Sequence, residues 1–145
     1  MRPHTSTMKT AAAAVALFAV ALLSGAASAA QAVKGGNPKA AAITNPVKPT
    51  ADSIGKGRQA YLKACRHCHG ASAVGDGPLA PKNPSPSNLT DDTWDYGSSD
   101  GEIFSIISNG IGGNSEMKGH RSEMTSADMW NIVNFLRSIG PTPPK

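Results

Sequence analysis

Apolar and polar positions alternate along this chain in patterns that predict helices and no strands. Thr10 to Leu23 is an unbroken apolar run, TAAAAVALFAVALL. Residues 31 to about 50, QAVKGGNPKAAAITNPVKPT, mix Gly, Pro, Ala and Lys without periodicity, as a flexible leader does. A helix is then expected from about Ser53, as N-cap, to Ala64, because Ile54, Tyr61, Leu62 and Cys65 fall on one side of it. Gly57 lies four residues before Tyr61 on that side and weakens the helix by about 1 kcal/mol. Close approach of another helix would compensate.

Residues 70–98 are rich in Gly, Pro, Ser and Asp, and GDGP (Gly75–Pro78) and PKNPSPSN (Pro81–Asn88) exclude a helix interior. So long a loop suits a compact domain only if it wraps something. Ser99 and Glu102 form a capping box for a helix carrying Ile103, Phe104, Ile106 and Ile107, stopped by Asn109-Gly110. Thr125, with Asp128 in the reciprocal position, opens a last helix in which Met129, Ile132, Val133 and Leu136 line one face before Gly140-Pro141. The expected fold is all-α, with three to four helices.

The N-terminus reads as an export signal. Arg2 and Lys9 flank its basic region, the apolar run follows, and SGAASAA offers small residues at Ala27 and Ala29 for cleavage. The run is shorter than the roughly 20 residues of a membrane span, although an uncleaved anchor remains an alternative. The expected division is a signal over 1–29, a leader over 30–50, a folded domain over 51–140 and a tail over 141–145. Loss of the signal removes Arg2 and Lys9 and lowers the formal charge from +4 to +2. With that mild charge, no arginine-rich run and few aromatics, nucleic acid is not an expected partner. Charge is uneven, however: seven bases and one acid lie between Lys34 and Arg66, and five acids and no base between Asp91 and Glu102. Such asymmetry can orient a protein partner on encounter, or simply form two solvated faces.

Both cysteines of the chain fall in ACRHCHG, Ala64 to Gly70, as Cys65-Arg66-His67-Cys68-His69. A C-x-x-C-H lets two thiols add to the vinyl groups of a haem while the adjacent histidine reaches the iron. Zinc would need a second ligand pair, for which His120 is only a lone remote donor. A thioredoxin-like dithiol would need a βαβ context. Haem attachment through Cys65 and Cys68, with His69 as iron ligand, is the favoured reading. It also accounts for a chain poor in large hydrophobes whose loop encloses something.

From Asn45 to Ile139 the sequence resembles monohaem class I c-type cytochromes of the bacterial, periplasmic type. NPVKPTADSIGKGRQAYLKACRHCHG resembles their first helix and attachment site, GDGP the loop after the haem histidine, EIFSIISNGI the middle helix, and MTSADMWNIVNFLRSIG the last one. The resemblance implies a small cytochrome c fold around one covalent haem c. It implies a methionine as sixth iron ligand, and Met117, in the loop GIGGNSEMKGH, occupies the matching place. Met124, just before the Thr125 cap, reads as a packing staple, and Met129 as core. Where the family has proline after its ligand, this chain has Lys118, which keeps His120 open as the alternative ligand. The resemblance also assigns the carbonyl of Pro78 to the Nδ1–H of His69, and packs Gly57 and Tyr61 against Ile132 and Phe135.

The function expected is one-electron transfer in the periplasm, with redox proteins as partners, no small-molecule substrate and no catalytic residues. A membrane partner is expected only if the signal is retained. Lys63, Arg66, Lys118 and Arg121 are expected around the exposed haem edge. Two alternatives stand beside it: an open-site haem enzyme or gas sensor, though no distal His/Arg pair is evident, and an electron-transfer subunit of a larger oxidoreductase.

Overall fold

A computed structural model describes Ala32 and residues 34–141. The signal and most of the C-terminal tail lie outside the described residues. Helices α1 (Pro38–Ala41), α2 (Ala51–Ala64), α3 (Arg66–His69), α4 (Asp100–Asn109) and α5 (Ser126–Ile139) follow in order, without a strand among the described residues. α1 and α3 are single turns, so the three longer helices correspond to those expected. None of the described helices is long and apolar enough to cross a membrane.

The capping pairs set where the helices begin. Ser99 and Glu102 form a reciprocal capping box on α4, as do Thr125 and Asp128 on α5. α2 starts earlier than expected: Thr50 is the N-cap, and Ser53 is its partner at the third helical position. Thr50 holds the Ser53 amide at 3.2 Å, and the Ser53 hydroxyl returns to the Thr50 amide at 3.1 Å.

α2 crosses α5 at Gly57, where a Cβ would overlap the Asn131 carbonyl and press on the Ile132 amide. Contact this close explains a glycine in mid-helix. One turn further on, the buried ring of Tyr61 meets Phe135 at 5.2 Å, tilted by 51°. On the other side of α5, Phe104 of α4 stacks on Trp130 at 4.0 Å. Ile103, Ile107, Met129, Ile132, Val133 and Leu136 complete the core. Burial of such side chains contributes about 1.5–3 kcal/mol each, the main force that holds three short helices together.

Residues 34–50, expected to be a flexible leader, instead pack as a strap across α4 and α5. Ala40 is fully buried. The Asn37 amide donates to Oε1 of Glu102 at 2.7 Å. Asn134 of α5, itself buried, donates to the carbonyls of Val47 and Lys48 and to Ser53 Oγ, while its oxygen accepts from Asn45. The strap is held largely by backbone groups, with the Asn45 side chain and the partly buried Val47 added, so its weak apolar pattern carries little sign of the docking.

The loop from 70 to 98 is held by backbone hydrogen bonds rather than regular structure. Gly75, Gly77 and Leu79 donate to the carbonyls of His69, Cys68 and His67, at 2.9, 3.0 and 2.7 Å. Leu89 donates to Ala73 at 2.7 Å. The loop therefore folds back along α3, the element that carries the cysteine motif.

Candidate haem site

Cys65, with φ of −101° and ψ of −31°, is at once the C-cap of α2 and the N-cap of α3. The amides of Cys68 and His69 both donate to the Cys65 carbonyl, at 3.2 and 3.0 Å. This helical turn puts residues three apart on one side. Both cysteines are free thiols and half-buried. Burial, helped by Cys68, pushes the Cys65 thiol up to about 12. A redox dithiol works through a depressed thiol pKa, so the shift runs against that reading. Among the described residues no three His, Cys, Asp or Glu side chains gather as a metal site, whereas a structural zinc takes four ligands.

His69 is the last residue of α3, and its Nδ1 lies 3.2 Å from the carbonyl oxygen of Ser87. A carbonyl only accepts, so Nδ1 carries the proton and Nε2 is left with a free lone pair. Burial pulls the His69 pKa down, and the Ser87 carbonyl opposes that in part. The ring is thus kept neutral and oriented, as an iron ligand must be. The carbonyl was expected from Pro78. Pro78 is instead exposed, on a turn that the bonds from Gly77 and Leu79 tie to the Cys68 and His67 side of α3. Ser87 reaches His69 because the loop returns there, with Leu89 bonded to Ala73 and Gly75 packed on the Pro86 carbonyl. Ser87 lies eighteen positions beyond His69 along irregular chain, and no local spacing rule singles it out. Tyr61 also escapes the motif: its hydroxyl donates to the Gly70 carbonyl at 2.7 Å, directly after His69.

Met117 is half-buried in a loop closed onto the end of α4. Ile111 donates to its carbonyl at 3.1 Å, and a single β-bridge joins Gly110 to Lys118. Gly110 has φ of 74° and no room for a Cβ against Met117 and Gly119. In place of a proline's stiffness, Lys118 Nζ donates to the Ser115 carbonyl at 2.7 Å. His120 is placed differently. Its amide donates to Ile107 at 2.8 Å, and its Nδ1 lies 3.4 Å from Glu123. The ring lines a groove of about 520 Å³ with Lys56, Lys63 and Met124, between α2 and the start of α5. His67 is exposed.

Two thiols on one helical turn, followed by an imidazole with only Nε2 free, fit a covalently attached haem. Fold and site define a cytochrome c domain. The chain belongs to the family described as cytochrome c oxidase, cbb3-type, subunit III, whose model matches residues 52–136. It is 30% identical over 96 residues to the cbb3-type cytochrome c oxidase subunit FixP of Azorhizobium caulinodans, across 61% of this chain and 30% of that protein. The chain thus spans about a third of the length of this curated relative. Among solved structures, cytochrome cL of Hyphomicrobium denitrificans superposes with a TM-score of 0.53 at 26% identity, over 68% of this chain and 53% of that one. Cytochrome cL of Methylophaga aminisulfidivorans gives 0.52 at 25%, over 73% and 60%. The reducing HAO-like protein complex of Kuenenia stuttgartiensis gives 0.59 at 24%, over 68% and 50%, a likeness of fold. As a cytochrome c domain the chain carries covalently bound haem c and serves haem-based electron transfer.

Proposed function

We propose that this protein is a periplasmic one-electron carrier with a six-coordinate His/Met haem. In this reading Cys65 and Cys68 form the two thioethers, and His69 and Met117 are the axial ligands. The observation that carries it is the Cys65–His69 turn, with its two free thiols and the Ser87 carbonyl on Nδ1 of His69. The haem supplies a reversible one-electron change at iron, and Met/His ligation raises its potential. The protein's own residues do the rest. The turn anchors the group, Ser87 sets the tautomer of His69, the 70–98 loop excludes water, and the bridge at Gly110 and Lys118 steadies Met117. The His120 ring, engaged with Glu123 in the outer groove, supports Met117 over His120 as sixth ligand.

A second reading is an electron-transfer subunit of a larger oxidoreductase. The similarity to FixP, a subunit of a cbb3-type oxidase, favours it, and co-purification under mild conditions separates it from a free shuttle. The ligand assignment is tested by visible spectra of protein matured with its signal in a haem-attaching host. The oxidised form should show the long-wavelength methionine–iron charge-transfer band. Met117→Ala should abolish the band and His120→Ala should leave it. A band that survives Met117→Ala overturns the assignment.

A further inference from the structure

Ser115 uses its amide, its hydroxyl and its carbonyl to hold the loop that carries Met117. The amide donates to the Gly112 carbonyl at 3.1 Å, which closes a turn through Gly113 and Asn114. The hydroxyl oxygen accepts from the Met117 amide at 3.1 Å, and the carbonyl accepts from Lys118 Nζ at 2.7 Å. Ser115 is half-buried, while Gly112, Gly113, Asn114 and Glu116 around it are exposed. A Cβ added at Gly112 or Gly113 would meet nothing within 4 Å, so no neighbour packs on the turn there. The Met117 carbonyl accepts from Ile111 at 3.1 Å. Both backbone polar groups of Met117 are therefore tied, the carbonyl to the start of the loop and the amide to Ser115.

We propose that Ser115 is a positioning residue for the sixth iron ligand. Its hydroxyl, held in place by the Gly112 turn and by Lys118, fixes the Met117 backbone and so sets how readily the thioether is displaced. A thioether is neutral and brings no charge to the bond, so its hold depends on how much freedom its loop regains on release. Ties already made within the loop reduce that gain. Ser115 does not reach the iron itself; it acts through Met117. The inference rests on the reading that Met117 is the sixth ligand.

The test is displacement of the ligand by imidazole. Oxidised, haem-loaded protein is titrated with imidazole while the methionine–iron charge-transfer band is followed. Ser115→Ala removes the acceptor of the Met117 amide and should raise the affinity for imidazole about three- to tenfold, the worth of one hydrogen bond. Ser115→Thr keeps a hydroxyl and should stay within about twofold of the parent, as should Asn114→Ala at an exposed neighbour. A residue that only stabilised the fold would lower the unfolding temperature without raising the affinity for imidazole. Equal affinity in Ser115→Ala and the parent overturns the positioning role, and so does a Ser115→Thr variant that binds imidazole as tightly as Ser115→Ala. Met117→Ala is measured in parallel. A charge-transfer band that survives in it overturns the underlying ligand reading. Loss of the band there, with unchanged imidazole affinity in Ser115→Ala, overturns the role of Ser115 alone.

Discussion

The phenol of Tyr61 donates a 2.7 Å hydrogen bond to the carbonyl of Gly70, nine residues along the chain. One buried side chain thereby links the α2–α5 crossing to the residue that follows His69. Burial raises the Tyr61 pKa, so the hydroxyl stays a donor at neutral pH. Tyr61→Phe keeps the ring and leaves the Gly70 carbonyl without its donor. The expected loss is about 1–2 kcal/mol of folding stability in urea denaturation of the haem-loaded protein. Unchanged stability would mean that water replaces the phenol without cost.

Two glycines of α2 make a paired test of the helix crossing. Gly57→Ala forces a methyl group into the α5 backbone at Asn131, and overpacking of this kind costs about 1–3 kcal/mol. Gly55 is exposed, and a Cβ added there would meet nothing within 4 Å, so Gly55→Ala should stabilise by up to about 1 kcal/mol through helix propensity. Thermal unfolding of the two variants should move in opposite directions.

Glu102 gives the strap a pH dependence. Burial pushes its pKa up, but hydrogen bonds from Ser99, Asn37 and Ser98 outweigh this and the net shift is below the ordinary 4.5. A carboxylate with a depressed folded pKa contributes stability that is complete above its unfolded pKa. That stability is lost as pH falls through the lower, folded value. The gap in unfolding free energy between the parent and Glu102→Gln should therefore be constant above about pH 5.5 and shrink on acidification below about 4.5. The amides of 35–43 should exchange faster in the variant, because Asn37 loses its charged acceptor. A gap independent of pH would deny the carboxylate this role.

Much of this was legible in the residues, for reasons that differ from place to place. The capping boxes at Ser99/Glu102 and Thr125/Asp128 and the closeness required at Gly57 depend on side chains, or their absence, at fixed local spacing. The cysteine motif is legible for the same reason. The packing of residues 34–50 is not legible because mainly backbone amides and carbonyls hold them, with one buried methyl at Ala40, and such contacts leave no apolar period. Ser87 was missed in favour of Pro78 because its carbonyl reaches His69 through the path of a long loop. Any residue supplies a carbonyl, and only the loop's own hydrogen bonds decide which one arrives.

A methionine on the iron also makes a prediction about small ligands. The reduced parent protein should bind carbon monoxide slowly and incompletely at neutral pH, and Met117→Ala should bind it promptly. Prompt, complete binding by the parent would favour an open-site enzyme or sensor instead.

The central claim is covalent attachment at Cys65 and Cys68, and its most direct test is extraction. Protein matured in a haem-attaching host is denatured and extracted with acidified organic solvent, and the haem absorbance left on the chain is measured. The parent should keep its haem on the polypeptide, and Cys65→Ser/Cys68→Ser should lose it to the solvent. Haem that leaves the parent, or stays on the double variant, would contradict the account.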